Sequence, residues 1–256
     1  MKFVKILLLI AALGLVASVH AEKITIAAAA DLKFALDEIV ATFKKSHAAD
    51  EVDVIYGSSG KFHTQIQQGA PFDLFFSADI GFPRELAKAG LAASDVVPYA
   101  VGRIVLWSAS LDATKMTLDS LTDPKITRIA IANPKHAPYG KRAEEALRAS
   151  ALWDKVEPKL VYGENIAHTA QFVQTGNAQV GVIALALAVS PELASKGGYW
   201  LIPDNLHAPL EQGFIITKRA ADSALARRFA DYMSSKASRA VMARYGFVLP
   251  GEAAAR

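Results

Sequence analysis

ITIAAAADLKFALDEIVATF, residues 24–43, changes its period halfway along. Ile24, Ile26 and Ala28 alternate as one face of a short strand. From Leu32 onward, Leu32, Ala35, Leu36, Ile39, Val40 and Phe43 fall at i, i+3, i+4, i+7, i+8 and i+11, which is one apolar face of a helix. Between the two periods lie four alanines and then Asp31, at the N-cap position of the helix to come. A strand running into a helix through small residues is the repeating unit of α/β proteins.

The same unit recurs on either side. The pattern predicts strands at 52–56, 72–77, 103–108, 128–132, 180–184 and 213–217. It predicts helices at 59–68, 82–89, 140–151, 166–175, 221–235 and 238–245, with Gly69 and Gly90 as stops for two of them. Such alternation implies α/β layers with mainly parallel strands. No internal repeat, linker or low-complexity stretch stands out.

The first residues bear on the compartment. Lys2 and Lys5 precede an apolar run at 6–19, and Val19-His20-Ala21 closes it with small residues at the positions a signal peptidase reads. The run is short of the roughly 20 residues that span a bilayer, and polar Glu22-Lys23 follows it. This predicts a signal peptide at 1–21, cleaved after Ala21, and a periplasmic protein. The sequence has no cysteine, which excludes disulfides, thiol nucleophiles, thiolate metal sites and a lipid-modified N-terminal cysteine. Loss of Lys2 and Lys5 leaves a nearly neutral chain, without the basic footprint of a nucleic-acid binder.

In open α/β sheets, ligands bind beyond the carboxyl ends of strands, where helices begin. Unpaired N–H groups and a partial positive charge make those starts suited to anions. Four junctions stand out. Ala27-Ala28-Ala29-Ala30-Asp31 lets a ligand approach the backbone, or simply packs strand on helix. Tyr56-Gly57-Ser58-Ser59-Gly60 offers hydroxyl and amide donors to one point, or is a Ser-capped turn. In Asn133-Pro134-Lys135-His136-Ala137-Pro138-Tyr139-Gly140, two prolines stiffen a loop that carries Tyr139 to the mouth of a helix, for binding or for packing. In Tyr162-Gly163-Glu164-Asn165-Ile166, Asn165 is placed to cap a helix and leave the Ile166 or Ala167 amide pointing outward. Catalytic patterns are lacking. His47, His63, His136, His168 and His207 show no metal-ligand spacing, and no G-x-S-x-G elbow or phosphate-binding glycine loop occurs.

These stretches, with Gly69-Ala70-Pro71-Phe72-Asp73-Leu74-Phe75-Phe76-Ser77-Ala78-Asp79 and Gly176-Asn177-Ala178-Gln179-Val180-Gly181, resemble the molybdate-binding periplasmic proteins of ABC transporters along nearly the whole mature chain. The resemblance implies an α/β, two-lobed type II periplasmic-binding-protein fold with a hinge and a central ligand cleft. By that analogy the first lobe takes residues 22–102 plus 212–256 and the second takes 103–211. It implies no enzyme and no cofactor, and no metal held as a free cation. It implies a monomer that carries molybdate or tungstate to an inner-membrane permease. The family positions fall on Ala30, Asp31, Ser59, Tyr139 and Ile166, with Ala184 matching a strand position where many members carry tyrosine. The family's dianion is held by neutral donors, so cavity size must separate molybdate from sulfate.

Two departures from the family pattern matter. Many members carry a hydroxyl residue or Asn where this chain has Ala30-Asp31. A carboxylate aimed at a dianion repels it, so Asp31 is expected to cap its helix, turn aside and contribute only its amide. With the tyrosine at 184 missing, the Tyr139 hydroxyl is expected to replace the lost donor from the other side of the pocket. Competing readings are a related receptor for sulfate, phosphate, ferric ion or an organic anion, a periplasmic enzyme on the same fold, and the sensing domain of a regulator.

Overall fold

A computed structural model describes residues 21–252 of the chain. The predicted signal sequence, apart from Ala21, lies outside the described residues. The strands are β1 (Lys23–Ala29), β2 (Glu51–Gly57), β3 (Leu74–Ser77), β4 (Val97–Gly102), β5 (Ile104–Ser108), β6 (Ile129–Ala132), β7 (Leu160–Gly163), β8 (Val180–Ala184), β9 (Gly198–Leu201) and β10 (Leu210–Ile216). The longer helices are α1 (Lys33–Ser46), α2 (Ser59–Gln67), α3 (Gly81–Lys88), α4 (Pro138–Ala149), α5 (Ile166–Gln174), α6 (Ala224–Met233) and α7 (Lys236–Arg244). The strands form two five-stranded sheets, ordered β2-β1-β3-β10-β4 and β7-β6-β8-β5-β9.

Alternation along β1 builds the first lobe. Ile24, Ile26 and Ala28 face one core with Leu74, Phe76, Phe214 and Ile216, and the buried face of α1 (Ala35, Leu36, Ile39, Phe43) covers them. Ala27, Phe75 and Ile215 point to the other side and pack with Phe62 and Ile66 of α2. Phe76 stacks on Phe214 and meets Phe229 of α6 edge-on. Each such fully buried aromatic contributes roughly 1.5–3 kcal/mol of burial. The second lobe is organised around Trp107 of β5, which is wholly buried with Ile131, Leu147 and Val182.

Parallel register levels the strand ends. Ala29 pairs with Gly57, and Ala28 with Phe76, so β1, β2 and β3 deliver their carboxyl ends to one edge. In the second sheet Ala132 pairs with Gly163 in the same manner. The helix starts at Ser59, Pro138 and Ile166 lie just beyond these ends.

The sheets are mixed rather than mainly parallel. β10 runs antiparallel to β3 and β4, and β5 runs antiparallel to β8 and β9. β5 follows the crossing between sheets at Arg103, and β10 follows the return before Leu210. Strands β4, β7 and β9 fall outside the sequence expectation. β4 carries Pro98, which is admissible because β4 is an edge strand, while β7 and β9 span four residues each and are partly exposed. Helix α4 starts at Pro138, two residues earlier than its periodicity suggests, because a proline loses nothing at a first helical position.

Candidate functional site

The four junctions meet. Ala29, Ala30 and Asp31 after β1, and Gly57, Ser58 and Ser59 after β2, face Ala137, Pro138 and Tyr139 at the start of α4 and Asn165 and Ile166 at the start of α5. Ala78, following β3, completes the lining. The cavity between the two lobes leaves the centre of a water-sized sphere ≈ 10 Å³, room for one compact occupant and not for a sugar or peptide. Asp31, Ser59 and Tyr139 are 1%, 1% and 2% exposed.

Each wall offers donors. The Ser59, Tyr139 and Ile166 amides, the first N–H groups of α2, α4 (whose Pro138 has none) and α5, have no partner within their own helices. Asn165 Oδ1 accepts from the His168 amide at 2.9 Å, a side-chain cap that leaves the Ile166 amide at the cavity. Ser59 Oγ accepts from the Ala78 amide at 3.0 Å, so its own proton is left to donate. Ser58 does not cap α2. Its hydroxyl donates to the His136 carbonyl of the opposite lobe at 2.5 Å, and the Gly60 amide donates to the same oxygen at 3.0 Å.

Asp31 departs from expectation. It lies inside the 3-10 turn Ala30–Leu32, whose cap position is Ala29, while Leu32 holds the cap position of α1. Its Oδ2 instead accepts from Tyr139 Oη at 2.9 Å and from Gln212 Nε2 at 2.8 Å. Gln212 Nε2 also reaches Tyr139 Oη at 3.1 Å, and Tyr99 Oη donates to Gln212 Oε1 at 2.7 Å, which fixes the orientation of the amide. Oδ1 of Asp31 is buried and has no hydrogen-bond partner. Burial pushes the carboxyl up to about 6, against the pull of Gln212, Tyr139 and the Asp31 and Leu32 amides. Burial, and then the nearby carboxylate, hold the Tyr139 phenol well above its usual range.

Five of the six predicted positions therefore line one cavity, and Ala184 does not. It is a fully buried methyl at the end of β8, paired with Ile104 and packed into the second lobe's core. A side chain that short stays behind the wall. Gln212 and Tyr99 were not anticipated. The available signal was a glutamine between Leu210 and Phe214 in an apolar strand; a bulge between Gln212 and Gly213 shifts the pairing register there, a distortion of the kind that re-aims side chains.

The lobes touch closely around the cavity. A Cβ on Gly60 would lie 2.6 Å from the His136 carbonyl oxygen, and one on Gly102 would lie 2.2 Å from Tyr139 Oη. At the rim Lys61 of one lobe pairs with Glu164 of the other, half exposed. The ammonium holds the Glu164 carboxyl below its usual range. His136 lies 4.0 Å from Glu164, and partial burial lowers its pKa.

The chain matches the family model described as bacterial extracellular solute-binding protein over residues 24–248. It is 35% identical to the molybdate-binding protein ModA of Rhodobacter capsulatus over 238 residues, 92% of each chain. It is 34% identical to the protein of the same name from Azotobacter vinelandii, over 94% of this chain and 97% of that one. The solved structure of the Azotobacter vinelandii periplasmic molybdate-binding protein superposes with a TM-score of 0.83 at 31% identity, covering 89% of this chain and 99% of the other.

Proposed function

The chain belongs to the bacterial extracellular solute-binding proteins, and from that premise we propose that it captures molybdate between its lobes in the periplasm and delivers it to the permease of an ABC importer. One observation carries the reading: strand-to-helix junctions from both lobes converge on a single small cavity whose walls present neutral donors. Ser59 Oγ and the first amides of α2, α4 and α5 are the donors to a tetrahedral oxyanion. Ala30 supplies a wall without bulk, and Ile166 supplies its amide. Preorganised N–H and O–H groups in a site of low dielectric hold a dianion without a fixed countercharge. Relatives named for molybdate, matched over nearly their full length, support the choice of anion.

Selection against sulfate, of equal charge and shape, rests on cage size. Tungstate, nearly as large as molybdate, is the second ligand. Lobe closure hides the anion and presents one fixed surface to the permease. The protein works as a monomer, with a first lobe of residues 22–102 plus 212–256 and a second lobe of 103–211. It acts as a carrier, with Ser59, whose Oγ accepts from the Ala78 amide, serving as a ligand donor.

The test is a calorimetric titration of the mature protein with molybdate, tungstate, sulfate and phosphate in turn. Binding of the first two alone is the expected result. A response to sulfate or phosphate in their place overturns the ligand. Asp31 favours one second reading, since an ionised carboxylate in the cage would accept a proton from a protonated oxyanion such as hydrogen phosphate.

A further inference from the structure

The hydrogen bonds around Asp31 leave its carboxylate with more acceptor sites than protons. With Asp31 ionised, the Tyr139 hydroxyl proton goes to its Oδ2, and the two protons of Gln212 Nε2 go to that oxygen and to Tyr139 Oη. The Tyr99 proton goes to Gln212 Oε1. No proton of this buried group is left to face the cavity, while the partnerless Oδ1 belongs to a residue that lines it. A dianion and a carboxylate then share one enclosed space, which Coulomb repulsion in low dielectric makes strongly unfavourable.

Resting on the molybdate reading above, we propose that Asp31 enters the ligand cage as a neutral carboxylic acid, so that each dianion bound brings one proton onto the Asp31–Tyr139 pair. The added proton has two equivalent uses. On Oδ1 it is donated to the anion directly. On Oδ2 it is donated to Tyr139 Oη, which releases the phenolic proton toward the anion. Either arrangement gives a partner to the orphaned acid or to the anion, and converts a repulsive contact into a donor.

The surroundings fit one titrating group. The titratable side chains facing Asp31 are Tyr139 at the start of α4 and Tyr99 on β4, and burial keeps both phenols protonated. Gln212 on β10 and Ser59 on α2 are neutral. His136 responds to Glu164 and Lys61 at the rim. Burial lifts the acid to about 6, so near neutral pH it is mostly ionised and must take up a proton as the dianion arrives.

The test is calorimetry with sodium molybdate on the mature wild type and on Asp31→Asn, in buffers of different ionisation enthalpy, from about pH 7 to about pH 9. Wild type is expected to take up close to one proton per anion, and its affinity to fall about tenfold per pH unit. Asp31→Asn, of equal shape and with a permanent N–H donor, is expected to bind molybdate with no proton uptake and a flat pH profile. A melting curve of the variant verifies its fold, and the wild-type proton count stands without the variant. Molybdate binding with no proton uptake, or with the same pH slope in both proteins, overturns the proton proposal and leaves the ligand reading intact. Silence from molybdate, with phosphate binding that Asp31→Asn abolishes, overturns both, because the carboxylate is then a proton acceptor.

Discussion

Burying Asp31 has a cost even without ligand. The folded chain holds its proton more tightly than the unfolded chain does, with values of about 6 and 3.8. Stability therefore falls as pH rises between those values and stays lower above them. Asp31→Asn removes that loss, so its ligand-free melting temperature is expected to exceed wild type at pH 8 and to converge with it at pH 4. The gain is at most about 3 kcal/mol at 1.36 kcal/mol per unit. Ser59→Ala leaves the Ala78 amide without its acceptor and the cage without a hydroxyl. It is expected to weaken molybdate binding by about 1–3 kcal/mol, read by calorimetry. Tyr139→Phe strips Asp31 of one donor and the cage of a phenol, so it is expected to weaken binding more than a size-preserving change at Ala184, which lies off the cavity. Equal affinities for those two variants would remove the phenol from the site.

At the scale of elements, the helix starts matter most, and Gly60 is the clearest probe of them. Alanine there raises helix propensity by about 1 kcal/mol. Its methyl, however, would meet the His136 carbonyl across the lobe boundary at 2.6 Å. Gly60→Ala is thus expected to preserve or raise the stability of α2 while weakening ligand affinity and shifting the protein toward an open form, visible as a larger radius of gyration in X-ray scattering. Unchanged affinity would mean that the lobes close without this contact. The junctions were legible in the sequence because a change of period from two to 3.6 marks a strand feeding a helix, and four such changes coincide with Gly, Ser, Pro or Asn. The partners of Asp31 were not. Gln212 sits 181 residues away, and its aim depends on a bulge that no local pattern announces. The edge strand β4 was hidden by Pro98, and the antiparallel direction of β5 and β10, both expected as strands, because periodicity marks a strand without giving its direction.

For the whole molecule, the cavity walls come from both lobes, so a bound anion ties them together. Hydrogen bonds from Ser58 and Gly60 to His136, and the Lys61–Glu164 pair, cross the same boundary. The ion pair is half exposed and screened by salt, so it steers closure more than it holds it. A ligand present at about 100 times its dissociation constant stabilises the folded state by about 2.7 kcal/mol. For a chain of this size the melting temperature is expected to rise by about 5–10 °C with molybdate. A rise with unchanged scattering would separate binding from closure, and no rise would count against binding itself.

The sheet order has a consequence for how the chain acquires its shape. β10, at residues Leu210–Ile216, lies inside the first sheet, between β3 and β4. An N-terminal fragment ending before it therefore lacks an interior strand and leaves Phe76 without its stacking partner Phe214. The second sheet draws only on residues from Ile104 to Leu201. During vectorial synthesis or passage through a membrane channel, the first lobe stays incomplete until most of the chain has emerged. The lobe that begins the polypeptide is then the one that finishes folding last.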